Sequence, residues 1–171
     1  MKVSRDSFRA KSGNQMDFKQ TFCFDDVLLT PRYSDILSRS EVDLSSELVS
    51  KTRLSLPVIA SPMDTISDVD MCVALAQFGG LGVLHRYNTA EQQAEAVRKI
   101  RESLPSFQAA AAIGMSGDFF ERACTLAEAG VGIFCLDVAH GHHKMMERAL
   151  KKLKDKFGEH VHLMAGNVAT L

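Results

Sequence analysis

The chain alternates short apolar runs with longer stretches that carry helix signals, at a spacing of about 25 residues. This alternation predicts βαβ units, whose strands lie side by side in a parallel sheet. The predicted strands are Pro57–Ala60, Leu81–Leu84, Ala109–Ile113, Val131–Asp137 and Val161–Ala165. The predicted helices are Asp68–Phe78, a segment from Thr89 to about Glu102, Asp118–Ala129 and Lys144–Phe157. The pattern places the chain in the α/β class.

Within the α/β class, a barrel is favoured over a doubly wound sheet. No GxGxxG motif follows the first strand, and polar residues follow every strand but the third, as in barrels whose chemistry draws on many strand ends. A closed barrel has eight units in about 250 residues. We therefore predict a TIM (β/α)8 barrel truncated to about five βα units over residues 21–171, after a polar tail at 1–20. Val42–Leu48 and Thr52–Leu56 are predicted to form a short pair of strands, or a loop, over one barrel end.

Residues that start and stop helices support these boundaries. Ser67 is predicted to cap the first helix, and Thr89 with Gln92 has the spacing of a capping box at the start of the second. The Gly79–Gly80 pair is predicted to end the first helix where the chain turns left-handed, and Gly130 to end the third.

Composition and charge indicate a globular protein. The formal net charge is −1, which gives no sign of a nucleic-acid or membrane surface, and no apolar run approaches the ~18 residues that cross a bilayer. The first 20 residues are polar and lack the apolar core of a secretory signal. The four cysteines form no CxxC pair, so we interpret them as reduced core thiols in a cytoplasmic protein.

Two polar residues at strand ends are the strongest site candidates. Asp137 ends an apolar run, where a carboxylate is costly unless it is paired or faces a ligand. We expect it to accept hydrogen bonds from ribose hydroxyls or a polarised base, although it could instead cap a turn. Asn167 follows Gly166 and offers both a donor and an acceptor, which suits a nucleotide or a nicotinamide carboxamide; its alternative role is a turn residue.

Three further features have more than one interpretation. The His140, His142 and His143 cluster could form a metal site, as in barrel hydrolases, but in those enzymes the pair ends the first strand. A polar loop leading into a helix is the favoured interpretation, with no metal. Asp64 and Arg86 also lie at strand ends, and Arg86 could neutralise a phosphate, orient a base or remain a solvated charge.

Five motifs, in order, give the chain a resemblance to the inosine monophosphate dehydrogenase and GMP reductase family. They are Phe24–Pro31 (Phe-Asp-Asp-Val-Leu-Leu-Thr-Pro), Ser61–Thr65 (Ser-Pro-Met-Asp-Thr), Gly79–His85 (Gly-Gly-Leu-Gly-Val-Leu-His), Leu136–His142 (Leu-Asp-Val-Ala-His-Gly-His) and Ala165–Thr170 (Ala-Gly-Asn-Val-Ala-Thr). The resemblance covers residues 21–171. It implies a barrel that binds a purine nucleoside monophosphate, GMP or IMP, and NAD or NADP at its carboxyl end. It also implies a homo-oligomer, a tetramer in the family.

Site roles follow from the resemblance. It implies that Ser61, Met63 and Asp64 bind the nucleotide, that the cofactor lies against Asp137, His140, Gly141 and Asn167, and that Arg86 is catalytic, at a position where many members have lysine. Members attack purine C2 with a cysteine in a Gly-x-Gly-Ser-x-Cys-x-Thr loop. This sequence does not contain that loop, so the chain alone is expected to be inactive.

The resemblance leaves the reaction open. Ser38–Leu44 and the His85–Arg86 pair look more like GMP reductases, while Ser61-Pro-Met-Asp and the Gly79–Gly80 stretch look more like the dehydrogenases. No room exists between Glu102 and Gln108 for the regulatory insert of many dehydrogenases. The favoured prediction is NADPH-dependent reductive deamination of GMP to IMP; the alternative is NAD-dependent oxidation of IMP to XMP. A metal-dependent barrel hydrolase and a non-catalytic barrel fragment are further alternatives.

Overall fold

The computed structural model describes residues 20–49 and 52–169, and these fall into two compact units that divide after Val42. The first unit contains two 3-10 turns, Phe24–Asp26 and Arg39–Glu41. The carboxylate of Asp26 accepts hydrogen bonds from the backbone N–H and the thiol of Cys23, and these bonds hold its pKa below the usual range. Almost all of the predicted tail, residues 1–19, lies outside the described residues, so its boundary at residue 20 stays a prediction.

The second unit contains an antiparallel hairpin and a parallel sheet. The hairpin joins β1 (Ser46–Val49) to β2 (Thr52–Leu54). The sheet has five parallel strands in sequence order: β3 (Ile59–Ala60), β4 (Leu81–Leu84), β5 (Ala109–Ile113), β6 (Val131–Leu136) and β7 (His162–Ala165). This α/β arrangement is consistent with a truncated TIM barrel. The count of five βα units stays a prediction, because within the described residues no helix follows β7.

Four helices separate the five parallel strands. They are α1 (Val69–Gln77), α2 (Ala90–Ser103), α3 (Phe119–Glu128) and α4 (Lys144–Phe157). The capping box of Thr89 and Gln92 is confirmed, with both hydrogen bonds present. The predicted glycine stops of α1 and α3 are also confirmed. Gly79 and Gly130 follow these helices with left-handed φ angles of 86° and 98°, a conformation that favours glycine.

The predicted cap of α1 is wrong. Asp68, not Ser67, is the N-cap, and its Oδ1 accepts a hydrogen bond from the backbone N–H of Met71 at 3.1 Å. Both residue types are good caps, so sequence preference did not separate them. The side chain of Ser67 is fully buried and makes a different contact, which is described with the site.

Strand residues alternate between two hydrophobic clusters on opposite sides of the sheet. On β6, Phe134 and Leu136 belong to the cluster that the helices cover, whereas Ile133 and Cys135 belong to the cluster on the other side. Leu54 of the hairpin packs in that second cluster.

The hairpin lies at the amino ends of the strands. Thr52 Oγ1 donates a hydrogen bond of 2.8 Å to Oε1 of Gln108, the residue that precedes β5. The predicted pair of strands is therefore confirmed. The hairpin lies at the amino end of the sheet, opposite to the end where Asp137 and Asn167 lie.

The cysteines are free, but they are not all core residues. Burial raises the pKa of the Cys72 thiol to about 12 and that of Cys135 to about 11, helped by the nearby carboxylates of Asp68 and Asp137. Cys23 is exposed, so the prediction of a core thiol is wrong there. Across the described part of the chain, no helix has the length and apolar character needed to span a membrane.

Candidate active site at the carboxyl edge of the sheet

The carboxyl ends of the five parallel strands meet at one edge of the sheet, and every predicted site residue follows one of them. Ser61 follows β3, Arg86 lies after β4, Asp137 follows β6 and Asn167 lies after β7. Three strand spacings separate β3 from β6, a distance of roughly 14 Å at ~4.8 Å per spacing. The structure therefore brings the candidates to one edge, with the predicted nucleotide residues near β3 and the predicted cofactor residues near β6 and β7.

The loop after β3 is folded back on a buried serine. The carbonyl oxygen of Ser61 accepts hydrogen bonds from the backbone N–H of Met63, at 2.8 Å, and from the hydroxyl of Ser67. The backbone N–H of Ser67 donates to the carbonyl oxygen of Met63 at 2.8 Å. The side chains of Ser61, Met63 and Asp64 remain exposed, so they are free to meet a ligand above the sheet.

The side chain of Arg86 extends from the end of β4 to the end of β6. Its Nη2 donates a hydrogen bond of 3.2 Å to the carbonyl oxygen of Asp137, and its side chain is partly buried. Between them, at the end of β5, a Cβ atom on Gly114 would lie 3.9 Å from Nη1 of Arg86. At that distance a methyl group would be in ordinary van der Waals contact, so the guanidinium lies next to this position without excluding a small side chain.

One donor of Arg86 is left over. Its Nε is buried and has no hydrogen-bond partner among the described residues. A buried donor without an acceptor is costly unless a ligand or water satisfies it. Arg86 therefore holds a positive charge in the middle of the edge, which suits an anionic ligand.

The loops after β6 and β7 pack backbone against backbone. The N–H of Gly141 donates to the carbonyl oxygen of Asn167 at 3.0 Å, and the N–H of Gly166 donates to that of Leu136 at 3.1 Å. A Cβ atom at Gly141 would lie only 2.0 Å from the carbonyl oxygen of Gly166, so no other residue fits there without a backbone shift. The position of Gly141 is thus set by packing, and its contact with a cofactor stays a prediction.

Asp137 and Asn167 flank this glycine contact. Asp137 is partly buried, and its N–H donates to the carbonyl oxygen of Ile113 at 2.9 Å, which extends the strand ladder by one residue. Asn167 has a left-handed φ of 51°, a conformation that asparagine tolerates better than most residues. Its exposed side chain and the carboxylate of Asp137 offer an amide and two acceptor oxygens at adjacent strand ends. This combination of hydrogen-bond donors and acceptors fits a nucleotide cofactor.

The histidine cluster divides into different roles. His143 is the N-cap of α4, because its Nδ1 accepts a hydrogen bond of 3.0 Å from the backbone N–H of Met145. His143 therefore ends the predicted polar loop and begins the helix, with a capping role that the loop interpretation did not include. His140 and His142 are exposed, with ring centroids 6.4 Å apart. Over residues 20–49 and 52–169, no three His, Cys, Asp or Glu side chains are placed to hold a metal ion.

Comparison with known proteins agrees with the motif assignment. The family model for the IMP dehydrogenase / GMP reductase domain matches residues 21–171. An inosine-5'-monophosphate dehydrogenase of Cryptosporidium parvum is 32% identical over 86% of this chain and 46% of its own length. One of Borreliella burgdorferi is 28% identical over 89% of this chain and 49% of its own length. One of Nitrosopumilus maritimus is 44% identical over 52% of this chain and 18% of its own length.

These matches show the family and how much of the relatives' length the chain covers. This chain spans about half, or less, of the length of the curated relatives it matches. The family match includes the loops after β3, β4, β6 and β7, where the candidate residues lie. The chain belongs to the IMP dehydrogenase and GMP reductase family.

Proposed function

We propose that this chain forms the nucleotide-binding and cofactor-binding edge of an enzyme that oxidises IMP to XMP with NAD. The observation that carries the proposal is Arg86, which links the β4 end to Asp137 and keeps one buried donor unused. The three relatives compared above are named inosine-5'-monophosphate dehydrogenase, which favours this reaction over the GMP reductase prediction. The complete fold is, in this proposal, a closed eight-unit barrel.

The proposed roles place the nucleotide at the β3 and β4 ends of the carboxyl edge and the cofactor at the β6 and β7 ends. Ser61, Met63 and Asp64 would contact the nucleotide, since their exposed side chains surround the end of β3. Arg86 would hold the phosphate or the purine base by the charge of its guanidinium, which is only partly buried. When bound, NAD supplies the acceptor for the hydride that leaves purine C2.

On the other side, the chain would hold and orient the cofactor. The carboxylate of Asp137 would accept hydrogen bonds from ribose hydroxyls, and the amide of Asn167 would orient the carboxamide of the nicotinamide. His140 and Gly141 would line the same loop. These roles use strand ends that neighbour each other in the sheet, so one dinucleotide can reach them together.

Attack on purine C2 needs a thiolate, and burial makes Cys72 and Cys135 poor sources of one. Burial raises the pKa of Cys135, the cysteine nearest to Asp137 in sequence, to about 11, and that of Cys72 to about 12. The sequence also lacks the family's cysteine loop. We expect the chain by itself to bind nucleotide without turning it over.

GMP reductase remains the second candidate, favoured by the His85–Arg86 pair and by Ser38–Leu44. It would use the same edge with NADPH, so the two proposals differ in ligand preference. Calorimetric titration with IMP, GMP, NAD and NADPH separates them. Tighter binding of IMP and NAD is expected, and tighter binding of GMP and NADPH would contradict the proposal in favour of reductive deamination.

The same preparation tests catalysis and assembly. Absorbance at the wavelength of reduced nicotinamide should show no steady turnover with IMP plus NAD or with GMP plus NADPH. Sustained turnover of either pair would contradict the proposed dependence on the cysteine loop. The homo-oligomer implied by the family remains a prediction, to be checked by sedimentation.

A further inference from the structure

Ser67 lies at the junction between the ends of β3 and β4. Its side chain has no exposed surface, although serine is usually a surface residue. It follows the Ser61-Pro-Met-Asp-Thr motif and precedes Asp68, the N-cap of α1. Because Asp68 already caps the helix, the burial of Ser67 needs another explanation.

Every polar group of Ser67 has a partner on a different part of the edge. Its hydroxyl donates to the carbonyl oxygen of Ser61, the first residue after β3. Its carbonyl oxygen accepts a hydrogen bond of 3.2 Å from the backbone N–H of His85, the first residue after β4. Its own N–H donates to the carbonyl oxygen of Met63. The hydroxyl of Ser67 thus closes the loop onto the end of β3, and its backbone carbonyl joins the loop to the end of β4.

We propose that Ser67 is a positioning residue that holds the Ser61–Asp64 loop in its nucleotide-binding conformation and sets that loop against the β4 end, from which Arg86 extends. This inference rests on the proposed function, because the role of the loop is to contact the nucleotide. Within the described part of the chain, the exposed side chains of Ser61 and Met63 have no hydrogen bond that could fix them, so the loop depends on its backbone bonds and on Ser67. The hydroxyl of Ser67 is the side-chain group that closes it.

Removing the hydroxyl tests this role. The N–H groups of Met63 and Ile66 are hydrogen-bonded within the loop. In Ser67→Ala their amide exchange rates should rise about fivefold, the factor that corresponds to the loss of one hydrogen bond. The affinity for IMP should fall by about the same factor, because the loop must then be ordered on binding. Exchange in the central strands should not change.

Asp68→Ala is the matched control, one residue away. This substitution removes the N-cap of α1 and should raise amide exchange at Met71, whose N–H donates to the Asp68 carboxylate. The exchange of the Met63 and Ile66 amides and the affinity for IMP should stay as in the wild type. Equal effects of the two variants on IMP affinity would overturn the proposal, as would unchanged loop exchange in Ser67→Ala. A wild-type chain that does not bind IMP would contradict the proposed function itself, and loop exchange would still decide whether Ser67 holds the loop.

Discussion

The two halves of the carboxyl edge are held together by different means. At the β3 and β4 ends, the buried residue Ser67 makes the link, with its hydroxyl bonded to Ser61 and its backbone carbonyl to His85, and the loop above it stays exposed. At the β6 and β7 ends, Gly141 and Gly166 let two backbones touch, with no side chain between them. Loss of the Ser67 hydroxyl removes one hydrogen bond, whereas a methyl group added at Gly141 has no space to enter. The β6–β7 half should therefore tolerate substitution less well than the β3–β4 half.

The largest expected effect is at Gly141. Gly141→Ala places a Cβ atom 2.0 Å from the carbonyl oxygen of Gly166, so the two loops must separate. We expect a loss of about 3 kcal/mol in the free energy of unfolding, the upper end for overpacking. Gly114→Ala is the control on the same edge, because its Cβ would meet atoms only at 3.9 Å or beyond. Urea unfolding that ranks Gly114→Ala as the more damaging variant would contradict the packing argument.

Asp137 should affect cofactor binding more than stability. Asp137→Ala is expected to weaken the binding of NAD about 10-fold, equivalent to about 1.4 kcal/mol, with little change in IMP affinity. Asp155→Ala, an exposed carboxylate on α4, serves as the matched control and should leave both affinities unchanged. If calorimetry gave the same NAD affinity for both variants, Asp137 would not belong to the cofactor site.

Arg86 connects the two halves, so its geometry should matter beyond its charge. Arg86→Lys keeps the charge but removes the planar fork that reaches the carbonyl oxygen of Asp137. A loss of about 1 kcal/mol in the free energy of unfolding is expected, the usual value for one hydrogen bond. Arg98→Lys, in an exposed ion pair with Glu95, should cost almost nothing. Equal losses for the two variants in urea unfolding would argue against the link.

The smallest effect is expected at His143. His143→Ala removes the acceptor for the N–H of Met145 and should reduce stability by about 0.5–1 kcal/mol, as loss of a cap does. His143→Asn should restore most of this loss, because asparagine caps well. Neither variant should change the affinity for NAD. A clear change in NAD affinity would move His143 from the helix into the cofactor site.

The core of the fold could be predicted because its strands are uninterrupted apolar runs. Leu81–Leu84, Ala109–Ile113 and the helix Lys144–Phe157 have the predicted bounds. The predicted strand Pro57–Ala60 is shorter, Ile59–Ala60, since it pairs on one side only and Pro57 has no N–H to donate.

The links within the site could not be predicted in the same way. Which of Ser67 and Asp68 caps α1 depends on tertiary burial, and both residues have suitable side chains. The reach of Arg86 past Gly114 depends on the register of three strands, which the sequence does not state. The motifs identified which residues lie at the edge, and the packing determines how they are held.

The most direct test of the account is to map both ligands on the chain by amide hydrogen exchange. Saturating IMP should protect the loop from Ser61 to Ser67 after β3, and saturating NAD should protect the segments around Asp137–Gly141 and Gly166–Asn167. The hairpin at the opposite end of the sheet, Ser46–Leu54, should be unaffected by either ligand. Protection of the hairpin by either ligand, or the same protected segments for both, would contradict the division of the carboxyl edge into a nucleotide half and a cofactor half.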